Sequence, residues 1–245
     1  MTAVETADLT KRYGGVTALE SLSLTVEGGE LFGLLGPNGS GKTTTIEILT
    51  GQLTPSSGSA TVLGHDPVDE PLAVREAIGI LPEREDPPSF LTPREYLQFV
   101  SEVRGLDDAA GRIETWADRL SFDHKLDTLA TDLSEGERQR VMLAQAFVHE
   151  PSLVFIDEPL VNLDPILQEE VKDHLREYCE AGNTLFLSTH FVDVAEELCT
   201  DVAILREGEL LATRDPRELD AEESLLEYFI STVGADPSEV TQGVR

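Results

Sequence analysis

Nine consecutive residues carry the most specific chemistry in the chain: Gly36, Pro37, Asn38, Gly39, Ser40, Gly41, Lys42, Thr43 and Thr44. The glycines let a loop turn its backbone N–H groups inward, onto phosphate oxygens. Lys42 supplies a mobile ammonium for the β and γ phosphates, and the Thr43 hydroxyl can ligate Mg²⁺. A glycine, four residues and then Gly-Lys-Thr is the spacing of a phosphate-binding loop, so the predicted ligand is a nucleoside triphosphate. Asp157 and Glu158 form the complement, directly after the apolar run Leu153 to Ile156. The first carboxylate is placed to hold Mg²⁺ through water, the second to orient or deprotonate an attacking water. Cradle and carboxylates together predict hydrolysis.

These groups need rigid elements behind them. Leu31 to Leu35 runs apolar into the cradle, and Thr44 to Leu49 continues it as a helix that Gly51 can close, so the helix's positive end faces the phosphates. Leu153 to Ile156 and Thr184 to Leu187 are also apolar at nearly every position, and they alternate with stretches of helical period. That pattern predicts an α/β fold whose mostly parallel sheet is covered on both faces, with ligand chemistry at the carboxyl ends of its strands. Leu22 to Val26, Ser59 to Val62 and Ala77 to Leu81 read as further β-rich segments. Glu83 to Pro93 is crowded with acids and prolines, after which Thr92, Pro93 and Glu95 form a capping-box start for a helix through about Val103. With Gly105 and Gly111 as punctuation, a helical subdomain is expected over about 84–150. Ser224 to Ile230 is the last helical pattern. The nucleotide-binding domain is expected over 1–233, and 234–245 as a loose polar tail.

Of the 245 residues, Asp and Glu number 47 against 18 Lys and Arg, a formal net charge of -29. Such a field repels nucleic acid and anionic head groups, so no nucleic-acid partner is expected. The acids are spread along the whole chain, and Lys11, Lys42, Lys125 and Lys172 are its only lysines. Carboxylates hold water and hydrated cations in concentrated salt, where mutual repulsion is screened, and we read the surface as an adaptation to a salt-loving host. Cys179 and Cys199, the only cysteines, make no disulfide framework and fit a reducing cytosol. No stretch is apolar for long enough to span a bilayer.

A third motif, Leu133-Ser134-Glu135-Gly136-Glu137-Arg138-Gln139-Arg140, precedes the carboxylate pair. Ser134 and Glu137 read as a capping box at a helix start. The octapeptide resembles the signature sequence of ATP-binding cassette (ABC) proteins. The resemblance runs from about Val4 to Leu211 and implies a P-loop NTPase core with an N-terminal antiparallel β subdomain and an inserted helical subdomain. It also implies a head-to-tail dimer, with itself or a homologous ATPase subunit, in which Ser134, Glu135, Gly136 and Glu137 of one chain meet the ATP held by the other. In the family's pattern Tyr13 matches the aromatic residue that stacks on adenine, Asp164 a loop residue that touches the opposite subunit, and His190 the switch histidine at the γ-phosphate. Lys42, Glu158 and His190 then form the catalytic set, and Thr43, Asp157 and Glu83 the Mg²⁺ set. The chain departs from the pattern at Glu83, where the family usually has glutamine, and at Glu135 and Glu137, which stand for glycine and glutamine. Both signature carboxylates must then point away from the phosphate.

The Leu-Pro-Glu junction resembles the branch that drives exporters through a separate integral membrane permease, which implies a place on the cytoplasmic face of the membrane. A soluble ABC ATPase acting on a protein scaffold, as in iron-sulfur cluster assembly, would share the same ATP site. A DNA-repair or chromosome ATPase would want a coiled coil or a basic face, and the sequence has neither.

Overall fold

The computed structural model of the chain describes residues 1–83, 85–160, 163–219 and 223–234. In chain order its elements are β1 (Thr2–Tyr13), β2 (Val16–Leu22), β3 (Thr25–Glu27), β4 (Leu31–Leu35), α1 (Lys42–Leu49), β5 (Ser57–Val62), α2 (Pro71–Ala77), β6 (Ile78–Leu81) and α3 (Pro93–Val103). They continue with α4 (Ala109–Arg119), α5 (Glu135–Phe147), β7 (Leu153–Asp157), α6 (Pro165–Glu180), β8 (Thr184–Thr189), α7 (Val192–Leu198), β9 (Asp201–Arg206), β10 (Glu209–Arg214) and α8 (Leu225–Val233).

A six-stranded sheet runs in the order β10-β9-β4-β8-β7-β6, parallel throughout except for the antiparallel edge strand β10. Its central strands are apolar along most of their length because alternate side chains enter different cores. Leu31, Leu35, Val154, Ile156, Leu185, Leu187, Val202 and Ile204 face one cluster, which they share with Leu97 of α3, Trp116 of α4, Phe147 of α5, Leu175 of α6 and Phe229 of α8. Phe32, Leu34, Leu153, Phe155, Phe186, Ala203 and Leu205 face the other, with Ile46 and Leu49 of α1 and with Val4, Leu9, Leu19 and Val26 of the N-terminal strands. On that second face Phe32, Phe186 and Phe155 form a row across three strands, with ring centroids 5.3 and 5.2 Å apart.

The N-terminal sheet is antiparallel, with the long β1 pairing β2, β3 and β5. Leu22 to Val26, expected as one segment, is divided: β2 stops at Leu22 and β3 starts at Thr25. The side chains of Ser23 and Thr6 take the backbone N–H groups of Asp8 and Leu24, so hydroxyls replace part of the ladder here, alongside the Thr6 N–H bond to the Leu24 carbonyl at 2.9 Å. Ala77 closes α2 and does not open β6.

Between β6 and β7 the chain is helical. Thr92 and Glu95 make the capping box at α3, with Pro93 in the first turn. Gly105, at φ 64°, follows α3 and punctuates it, but Gly111 lies inside the first turn of α4. The Asp108 side chain caps α4 by accepting the Gly111 N–H, and a Cβ at Gly111 would run into that same carboxylate. Ser224 caps α8, which extends to Val233. Of the tail expected over 234–245, Gly234 closes α8 at φ 66° and 235–245 lie outside the described residues.

Candidate active site

β4 delivers the chain into the glycine loop at Leu35, and the tight fit of that loop explains its composition. At Gly36 a Cβ would press into the Leu205 carbonyl oxygen of β9 and sit 2.6 Å from the Ser40 hydroxyl. Gly41 has φ 107°, a region that disfavours any side chain, and its Cβ would fall 2.6 Å from the Ala18 carbonyl oxygen. Gly36 N–H donates to the Thr189 carbonyl at 3.3 Å, tying the loop to the end of β8. Ser40 is buried beneath the loop with its hydroxyl unpartnered. Lys42 opens α1 and curls back over the loop, donating to the Gly36 carbonyl at 2.8 Å and the Pro37 carbonyl at 3.4 Å. Burial pushes its ammonium below the ordinary lysine range, and the charges of Glu158, Asp157 and Glu83 pull it back up.

A cavity of about 440 Å³ opens here. Asn38, Gly39 and the run Gly41 to Thr44 line it, together with Ala18, Glu83, Asp157 and Glu158. Both carboxylates come from the end of β7, which pairs with β8 so that Asp157 lies beside Ser188. Asp157 Oδ2 accepts from the Thr43 hydroxyl at 2.8 Å, and its Oδ1 accepts from the Ser188 hydroxyl. Glu158 takes a positive φ of 55°, and its backbone N–H donates to the Ser188 carbonyl at 3.0 Å. Glu158 Oε1 lies 2.7 Å from His190 Nδ1, and its Oε2 accepts from the Thr189 hydroxyl at 3.2 Å. Against an ionised carboxylate, which can only accept, this contact is a hydrogen bond when Nδ1 is the protonated ring nitrogen.

Thr43 and Asp157 therefore present two hard oxygens at hydrogen-bond distance, a donor set that fits Mg²⁺. Among the described residues no cluster of three or more His, Cys, Asp or Glu could hold a metal unaided. A cation here must complete its shell with water and with phosphate oxygens, as Mg²⁺ does.

A family profile described as "ABC transporter" matches residues 19–161. The chain belongs to the ABC transporter family. It is 36% identical over 225 residues to the "Probable multidrug ABC transporter ATP-binding protein YbhF" of Escherichia coli, which covers 90% of this chain and 38% of that protein. With the "Nod factor export ATP-binding protein I" of Rhizobium etli it shares 33% identity over 244 residues, 98% of this chain and 76% of the relative. The chain thus spans less than half the length of the first relative and about three quarters of the second. A solved structure described as the ATP binding subunit of an ABC transporter superposes with a TM-score of 0.84 at 29% identity, over 97% of each chain.

The signature segment of this ABC family member stands apart from the cavity, which none of Ser134, Glu135, Gly136 and Glu137 lines. It forms the expected capping box at α5, with the Ser134 N–H donating to Glu137 Oε2 at 2.8 Å. Glu137 Oε1 lies 3.0 Å from Lys125 Nζ. The Ser134 N–H and the Lys125 ammonium hold the Glu137 carboxyl down at about 2, so it is ionised and turned back onto its own chain. Asp164 caps α6, accepting from the N–H groups of Ile166 and Leu167 at 3.1 Å each, with Arg140 at 3.4 Å. Tyr13 ends β1 half exposed, with Lys11 Nζ 5.0 Å from its ring centre, and does not line the cavity. Sequence reasoning missed Ala18, Ser188 and Thr189. Hydroxyls just before His190 were a usable signal for the last two, whereas Ala18 enters only because the N-terminal sheet folds over Gly41.

Proposed function

We propose that this chain binds and hydrolyses ATP to energise transport through a separate integral membrane permease, working as a head-to-tail dimer with a second copy or a homologous subunit. One observation carries the reading: Lys42 and Thr43 at the start of α1 meet Asp157 and Glu158 from the end of β7 at one cavity, with His190 Nδ1 2.7 Å from Glu158 Oε1. Loop N–H groups and the Lys42 ammonium receive the β and γ phosphates, Lys42 leaving its carbonyl partners to do so. Tyr13 stacks on the adenine from the edge of the N-terminal sheet. Thr43 and Asp157, with Glu83 on the cavity wall, would hold Mg²⁺, which would supply charge stabilisation of the transferred phosphoryl group. Glu158 orients a water and takes its proton as the water oxygen bonds to the γ phosphorus and the bond to the leaving ADP oxygen breaks. His190 turns from Glu158 to the γ-phosphate and keeps that water in line.

The Ser134 end of α5 is exposed and lines no part of its own cavity, a placement suited to closing on the ATP of a partner, with Asp164 at the same interface. Because Glu137 is occupied by Lys125 and by its own cap, it need not meet the phosphate. The helical segment over about 84–150, within a domain of 1–233, would meet the permease on the cytoplasmic face of the membrane. Among the described residues no helix is long and apolar enough to cross a membrane, so the spanning part would belong to that partner. The similarity to a Nod factor export ATP-binding protein supports export as the direction of transport. Replacing Glu158 by Gln tests the reading: ATP binding should persist, turnover should disappear and an ATP-bound dimer should accumulate. Turnover at the wild-type rate in that variant would refute the role of Glu158.

A further inference from the structure

β8 ends in Ser188 and Thr189 with His190 next in the chain, three consecutive residues that can donate, and β7 ends in Asp157 with the second carboxylate, Glu158, next. The parallel register sets one row against the other. Each carboxylate is thereby divided between two partners: Asp157 between Ser188 and Thr43, and Glu158 between Thr189 and His190. The two partners of Glu158 differ in kind. His190 has a side chain 30% exposed and lies beside the cavity, so it can be drawn away by a ligand. Thr189 is 1% exposed, and its oxygen already accepts the Phe191 N–H at 3.1 Å. A hydroxyl has one proton, and with its oxygen engaged this way that proton is directed at Glu158 Oε2.

We propose that Thr189 is a positioning residue for hydrolysis: its hydroxyl fixes Oε2 of Glu158, so that Oε1 faces the attacking water once His190 turns to the γ-phosphate. The inference rests on the reading of Glu158 given above. The backbone of Glu158 is already pinned at Ser188, and the Thr189 bond removes the remaining rotation of the carboxylate. Without it a buried oxygen would lose its partner, and the Lys42 ammonium, whose charge already acts on Glu158, would compete for the group.

The test replaces Thr189 by Val, which keeps the shape and removes the hydroxyl. Loss of one positioning hydrogen bond should lower kcat by about tenfold. KM for ATP and dimer formation with a non-hydrolysable ATP analogue should stay within about twofold of wild type, because phosphate contacts are untouched. Thr189→Ser restores the hydroxyl and should return kcat to within about threefold of wild type. If the valine variant does not fold, Thr189→Ala is measured in the same way. Wild-type kcat in the hydroxyl-free variant, a serine variant as slow as the valine, or a joint loss of kcat, KM and pairing would each overturn the assignment. Failure of the underlying reading looks different, because then wild type does not hydrolyse ATP or Glu158→Gln retains turnover.

Discussion

His174 gives the sharpest prediction about stability. It lies on α6, 8% exposed, with the edge of its ring against Trp116 of α4 at 4.8 Å between centroids and against Phe147 of α5 at 5.4 Å. Neither ring nitrogen has a hydrogen-bond partner. Burial, and then the nearby Arg119 charge, push its pKa from the ordinary 6.5 to about 4. The folded chain therefore binds fewer protons than the unfolded chain between those values, and stability falls as the pH drops through that window. At ~1.4 kcal/mol per pH unit below 6.5, the step from about pH 7.5 to about pH 5 should remove about 2 kcal/mol through this one group. Phenylalanine can fill the same aromatic cage and does not titrate, so His174→Phe should lose about 2 kcal/mol less than wild type over that step. His149, also held at about 4 by burial and by Arg104, contributes in the same direction but is common to both proteins. Glu137, held at about 2, titrates below the window. The assay is urea unfolding of both proteins at the two pH values in constant concentrated KCl. Equal acid losses in wild type and His174→Phe would refute a neutral buried imidazole between α4, α5 and α6.

Two further predictions concern the cradle and the surface. Gly36→Ala should weaken ATP binding at least about tenfold and destabilise by ~1–3 kcal/mol, because the new methyl meets the backbone of β9; calorimetric titration and thermal melts would show both, and unchanged affinity would exclude the tight loop. With a net charge of -29, the unfolding midpoint should rise steeply between about 0.1 and 1 M KCl as the Debye length shrinks from ~10 to ~3 Å. A chain that stays folded and active in dilute buffer would remove the salt-adapted reading of the surface.

The sequence by itself determined the cradle, the carboxylate pair, the apolar strands and the capped helices, because each is a local pattern whose physics acts within a few residues. A glycine at a positive φ, a capping box such as Thr92 with Glu95, and a run apolar on both faces mean much the same in any context. Where local signals conflicted, the reading slipped. Gly111 resembles a break but sits in a helix, because Asp108 caps the first turn from outside it. Leu22 to Val26 looks continuous but is split by hydroxyls bonding to β1. Only the tertiary structure decided which partners each site residue has. Thr43 and Asp157 are 114 positions apart and touch because β4 and β7 both flank β8. The pairing of Asp157 with Ser188, and through it the grip of Thr189 and His190 on Glu158, depends on a register that a one-residue slip would turn inside out. Strand order and register are set by how whole faces bury against each other, and that long-range sum is written in no single segment.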